Sequence, residues 1–156
     1  MDQKRIGFCL TGAGIAAGIG GAFVVIMYVF SVLGNRDLFP AGVLALIFVG
    51  MGLLVFLYGL ALLEYLKITV RIGKSRSFCR ENGKGLGWIA RYLWLAAGLW
   101  IASLGAALLP SVGTGIWMWG FLLFALASTA MGGLSWGLGK LVDRAVQLQE
   151  ENDLTV

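Results

Sequence analysis

From Tyr92 to Gly139 the chain reads YLWLAAGLWIASLGAALLPSVGTGIWMWGFLLFALASTAMGGLSWGLG, 48 residues without an Asp, Glu, Lys or Arg. A helix needs roughly 20 apolar residues to cross a hydrocarbon core of about 30 Å, so this run is too long for one crossing. Pro110-Ser111-Val112-Gly113-Thr114-Gly115 interrupts it near the middle, and a proline followed by two glycines marks a turn. The reading is two helices, one from about Gly87 to Leu109 and one from about Ile116 to Gly139.

Two earlier stretches are equally free of charge, Ile6 to Asn35 and Leu38 to Leu63. Each accommodates one crossing, the first with surplus length for tilt. Soluble domains average about 45–50% apolar and about 25% charged residues. This chain of 156 residues has 59% and 13%, with a mean hydropathy of +0.87. Its length is that of one domain, and its excess apolar surface calls for lipid as a second solvent. Lys4 and Arg5 precede the first run as in a secretory signal, but that run continues through Leu33, past the usual apolar core of about 7–15 residues. Cleavage is not expected.

The basic residues set the orientation, because they accumulate on the cytoplasmic side. Lys67, Arg71, Lys74, Arg76, Arg80, Lys84 and Arg91 lie between the second and third runs against only Glu64 and Glu81, a net charge of +5. Lys4 and Arg5 precede the first run, and Lys140 and Arg144 follow the last. Only Arg36, of 12 basic residues, falls on the other side. The fold class expected is an all-α, polytopic membrane protein with four transmembrane helices, N-in and C-in. One domain spans residues 1–156, with a cytoplasmic basic loop at 64–91 and an amphipathic, acidic cytoplasmic tail at 140–156. The basic balance is explained by topology and by anionic head groups; no nucleic-acid-reading motif accompanies it, and direct nucleic-acid binding is not expected.

Catalytic chemistry finds little footing. The chain has no histidine, which excludes Ser/His triads and His-based metal sites. Cys9 and Cys79 are too far apart in sequence to form a CxxC pair and read as small hydrophobic residues. Gly73-Lys74-Ser75 lacks the glycine a P-loop places five positions earlier, where Ile68 stands. Gly83-Lys84-Gly85-Leu86-Gly87 reads as a flexible loop rather than a dinucleotide fingerprint. No ionisable residue lies deep in a crossing, which disfavours coupled transport. Hydroxyls such as Thr11, Ser103, Ser128 and Ser135 are expected to bond their own backbone. No enzyme activity, cofactor or metal is expected.

Trp117 and Trp119 fall near the outer interface, and Trp88 and Trp94 near the inner one, as an aromatic belt requires. Gly14, Gly18 and Gly21 line one face of the first helix, and Ala130, Gly133 and Gly137 one face of the fourth. Small residues at such spacings let membrane helices approach closely. Both faces lie in the cytoplasmic half, and pairing of the first and fourth helices is expected, with homo-oligomerisation the alternative. In the central loop, Ser77 can cap a short cytoplasmic helix from Phe78, with Glu81 in its favourable first turn. Leu138, Leu141, Val142, Ala145 and Leu148 recur at helical spacing beyond the fourth crossing. The acidic terminus either associates with the basic loop or is solvated.

Arg71-Ile72-Gly73-Lys74, then Ser77-Phe78, Glu81-Asn82, Leu86 and Ile89, followed by the tail Leu148-Gln149-Glu150-Glu151-Asn152-Asp153-Leu154-Thr155-Val156, resemble the bacterial domain-of-unknown-function family 2975. Its members are similar in layout, with a Phe-(Ser/Thr)-x-Glu-Asn segment after helix two and an Asp-Leu-Thr-(Ile/Val) terminus. Two departures stand out: Cys79 where the family usually has Ser or Thr, and Gly83-Lys84-Gly85 in place of a more helical stretch, which weakens the helix expected after Phe78. Members are often encoded beside a small Cro/CI-like helix-turn-helix regulator. The resemblance implies a multi-pass protein of the bacterial cytoplasmic membrane that serves as membrane partner or sensor for such a regulator. Arg71, Lys74, Arg76, Phe78, Glu81 and Asn82 are then the candidate contacts in the loop. Asp153, Leu154, Thr155 and Val156 are those in the tail, an extended terminus suited to a partner's sheet edge or groove. A structural or lipid-interacting membrane protein is the alternative, ahead of a transporter or pore.

Overall fold

The computed structural model describes residues 3–34, 41–74, 79–107 and 116–154, which form four helices. These are α1 (Gln3–Gly34), α2 (Ala41–Gly73), α3 (Arg80–Ala107) and α4 (Ile116–Leu154). The Pro110–Gly115 turn lies outside the described residues, but a helix ends before it and another begins after it. All four helices are long and apolar enough to cross a membrane. Their outward faces carry large apolar side chains such as Phe8, Phe30, Leu46 and Trp119, each more than two-thirds exposed. Such a surface is compatible with a membrane protein.

The helices pack in chain order, α1 on α2, α2 on α3 and α3 on α4. The buried cluster of Ala61, Ile68 and Ile89, flanked by Tyr65, Ile72, Leu86, Tyr92 and Leu93, sits toward the charged end. That end is largely helical. Residues 64–73 belong to α2, the continuation that Leu66, Val70 and Gly73 lead one to expect before a break, and 80–91 belong to α3, so the segment between the helices narrows to a few residues. No separate short helix follows Ser77 and Phe78, which lie outside the described residues. The helix from Arg80 runs unbroken to Ala107.

Gly83-Lys84-Gly85 does not weaken that helix; it is where the neighbours approach. A Cβ on Gly85 would lie 3.1 Å from Ile68 Cδ1 of α2, and one on Gly139 of α4 would lie 3.1 Å from the Gly83 carbonyl oxygen. Buried small residues recur every seventh position on both helices: Gly83, Ala90 and Ala97 on α3, and Ala125, Gly132 and Gly139 on α4. Paired 83 with 139, 90 with 132 and 97 with 125, they share one antiparallel register. A sustained seven-residue repeat is the pattern of helices that wind gently around each other.

The expected pairing of α1 with α4 is corrected here. Gly14 and Gly18 face α2, where a Cβ would meet the Tyr65 ring and Leu62. With Gly7 against Gly73 and a hydrogen bond from Thr11 Oγ1 to Thr69 Oγ1 (3.1 Å), they form one antiparallel seam. Tyr65 Oη adds a bond to the Leu10 carbonyl oxygen at 3.0 Å. Gly21, Gly133 and Gly137 have no atom of another element within 4 Å of a built Cβ, and Ala130 is exposed. Glycine lets helices approach, but a partner with matching relief decides which glycines are used: Tyr65 fills the groove at Gly14, and α4 offers nothing equivalent.

Candidate functional site

The charged end is built from the last turns of α2, the first turns of α3 and the part of α4 beyond Lys140. Gly73 closes α2, and the Lys74 N–H returns to the Arg71 carbonyl at 3.1 Å, the kind of closure glycine favours at a helix C-terminus. Cys79 opens α3, its carbonyl accepting from the N–H groups of Asn82 (3.0 Å) and Gly83 (3.5 Å). Glu81 stands in that first turn, ahead of the charge-free run that starts at Tyr92. Its carboxyl is held below its ordinary value by its own backbone N–H, then by the Cys79 thiol, then by Arg71 and Lys84. The helix N-terminus favours the same negative charge.

Around that turn, Arg71 is half-buried, while Lys74, Arg80 and Lys84 are exposed. Arg80 reaches Glu150 of α4 at 3.4 Å. Both side chains are solvated, so the pair is worth at most about 1 kcal/mol, and it marks the end of α4 as lying beside the start of α3. The two segments that carry the family resemblance thus share one end of the bundle.

Not every expected contact is available there. Glu81 is exposed, but Asn82 is 2% exposed and belongs to the packing between helices rather than to a partner surface. It is buried because Gly83 and Gly139 bring α4 against α3 at that level. Within the described residues the tail is helical, α4 running through Asp153 and Leu154. Arg76, Phe78, Thr155 and Val156 lie outside the described residues. Among the described residues, no three His, Cys, Asp or Glu side chains gather in a way that could hold a metal ion.

A second polar cluster lies within the apolar length of the bundle. Trp100 Nε1 of α3 donates to Tyr58 Oη of α2 at 3.0 Å, and Tyr58 Oη shares a 2.6 Å hydrogen bond with Ser128 Oγ of α4. Trp100 also stacks on Phe124 and tilts against Phe121, with ring centroids 5.0 and 5.7 Å apart. Three helices are joined at one point. Ser128 was expected to bond its own helix, as Ser103 does to the Leu99 carbonyl; it bonds across to α2 instead. The signal for Tyr58 was in the sequence: it is the only side chain with a hydrogen-bonding group between Leu38 and Leu63. A lone hydroxyl in lipid is unfavourable unless another helix satisfies it.

No curated protein and no solved structure matches the chain. The family model described as "Protein of unknown function (DUF2975)" matches residues 40–156, the part that holds α2, α3 and α4, and the chain belongs to that family.

Proposed function

We propose that this chain is a multi-pass protein of the bacterial cytoplasmic membrane, N-in and C-in, whose charged end holds a small cytoplasmic helix-turn-helix regulator. The supporting observation is the Arg80–Glu150 contact, which brings the start of α3 and the far end of α4 to a common surface. Arg71, Lys74, Arg80 and Lys84 present cations at that surface, and the opposite end offers only Arg36 and Asp37. Positive charge of this kind steers and orients an acidic partner. Because α4 is helical to Leu154, docking uses a helix and a charged surface rather than strand addition.

The reading is tested by affinity purification from native membranes of the parent and of Arg71→Glu/Lys74→Glu. A small helix-turn-helix protein should co-purify with the parent and be lost from the charge-reversed variant at unchanged membrane insertion. Recovery of no such protein with the parent overturns it. A lipid-interacting role is the second reading. It draws on Arg91 lying 4.7 Å from the centre of the Trp88 ring and Lys140 lying 6.0 Å from that of Trp136. Cations beside indoles suit the head-group level of a bilayer, and that reading gains if anionic lipid alone co-purifies.

A further inference from the structure

α4 carries a second stripe that, beyond Phe124 (stacked on Trp100 of α3), lies largely open on its surface. Phe124, Ala127, Met131, Leu134, Leu138, Leu141, Ala145 and Leu148 follow one another at alternating steps of three and four, and Asn152 takes the next place. This is the seven-residue pattern of a coiled-coil seam, with Leu134, Leu141 and Leu148 at one of its two core positions. The stripe is open: Met131 is 56% exposed, Leu134 62%, Leu138 53%, Leu141 61% and Leu148 62%. Lipid accounts for the exposure of its first half. It does not account for Leu141 and Leu148, which lie past Lys140 among Arg144, Glu150 and Glu151, beyond the apolar segment.

We propose that this stripe pairs in parallel with α4 of a second copy of the chain. A seam that starts inside the apolar length and continues about 12 Å past Lys140, at 1.5 Å per residue, needs a helix that runs beside it through both regions. A second α4 has that length, and two copies inserted alike present identical stripes in matching direction and register. The flanking positions favour this occupant. Ala130 and Gly137 on one side allow close backbone approach. Arg144 faces Gln149 of the other copy across a parallel seam, so no charge meets its like there. Ala130 and Gly137, which contribute nothing between α1 and α4, acquire a role at this surface.

The test uses the full chain in native membranes with Cys9 and Cys79, both free thiols, replaced by serine. Single cysteines are introduced as Leu134→Cys, Leu138→Cys, Leu141→Cys, Ala145→Cys and Leu148→Cys. Lys140→Cys and Gln147→Cys serve as positions off the stripe. Mild oxidation should give dimer at the stripe positions several-fold above the other two. A flat pattern overturns the proposal, and so does cross-linking to a protein of a different mass. A second arm adds Leu141→Glu/Leu148→Glu to the Leu134→Cys chain. The dimer should be lost at position 134, a site remote from both changes, while the protein stays helical and inserted; its persistence refutes pairing through this seam.

Discussion

Tyr58 and Ser128 are 70 residues apart, yet their side-chain oxygens lie 2.6 Å from each other in the apolar length of the bundle. With Trp100 donating to the same Tyr58 oxygen, this is where α2, α3 and α4 are tied. Hydrogen bonds between membrane helices average about 0.6 kcal/mol and reach about 1.7. Tyr58→Phe should therefore lower stability in detergent by about 1 kcal/mol. Ser128→Ala should cost measurably in the parent and nothing further in Tyr58→Phe. Additive losses in equilibrium unfolding would show that the two hydroxyls act independently.

Two glycines of α4 should behave oppositely. A side chain at Gly139 meets the Gly83 carbonyl and Leu86 Cβ within 3.3 Å, whereas one at Gly133 meets nothing within 4 Å. Overpacking typically costs about 1–3 kcal/mol. Gly139→Leu should lose that much while Gly133→Leu keeps the parent's melting temperature in detergent. Equal losses would place α3 and α4 in a different register.

At the charged end, neighbouring residues separate packing from surface charge. Asn82→Ala empties a buried position between helices and should cost about 0.5–3 kcal/mol. Arg80→Ala breaks a solvated ion pair and should cost under about 1 kcal/mol. Thermal melts of the two variants check the order, and a larger loss for Arg80→Ala would mean that α4 is held to α3 mainly by charge.

Glu81 supplies a pH dependence. Its folded value lies below its ordinary one of 4.5, so the unfolded chain binds its proton first as pH falls. Its contribution is complete above the ordinary value and disappears as pH drops through the folded one. The melting-temperature difference between parent and Glu81→Gln should be present at neutral pH and shrink to nothing in acid. A gap that widens in acid has the wrong sign for this arrangement.

Orientation is open to labelling. In a cysteine-free background, Arg36→Cys and Thr114→Cys should react with an impermeant maleimide added outside intact cells. Ser75→Cys and Asn152→Cys should react only after lysis. Labelling of Ser75→Cys from outside would invert the topology.

Helix number was legible because charge is a local property: the runs from Ile6, Leu38 and Tyr92, and the Pro110 turn, can each be read without knowing what lies beside them. Partner choice was not. Gly14 and Gly133 have matching depth, but the selection rests on Tyr65 filling one groove and on Trp94 and Ala90 facing Gly132, one residue from the glycine expected to pack. Gly83-Lys84-Gly85 misled for a related reason. Glycine lowers helix propensity taken alone, and only the arrival of α2 and α4 turns it into an advantage. Asn82 has the residue type of a surface contact, and its burial follows from the same approach.

Packing in chain order carries a consequence for how the protein is made. Each helix packs on the one immediately before it, so α2 can settle on α1, then α3 on α2, and α4 on α3, in the order in which they are made. The most extensive seam, between α3 and α4, is the last to fill, and packing between chain neighbours closes short stretches of chain, which favours fast assembly. The Tyr58 hydroxyl completes its bonds in the same order. It acquires Trp100 with the third helix and Ser128 only with the fourth, so a nascent chain halted before α4 holds that tie half-made.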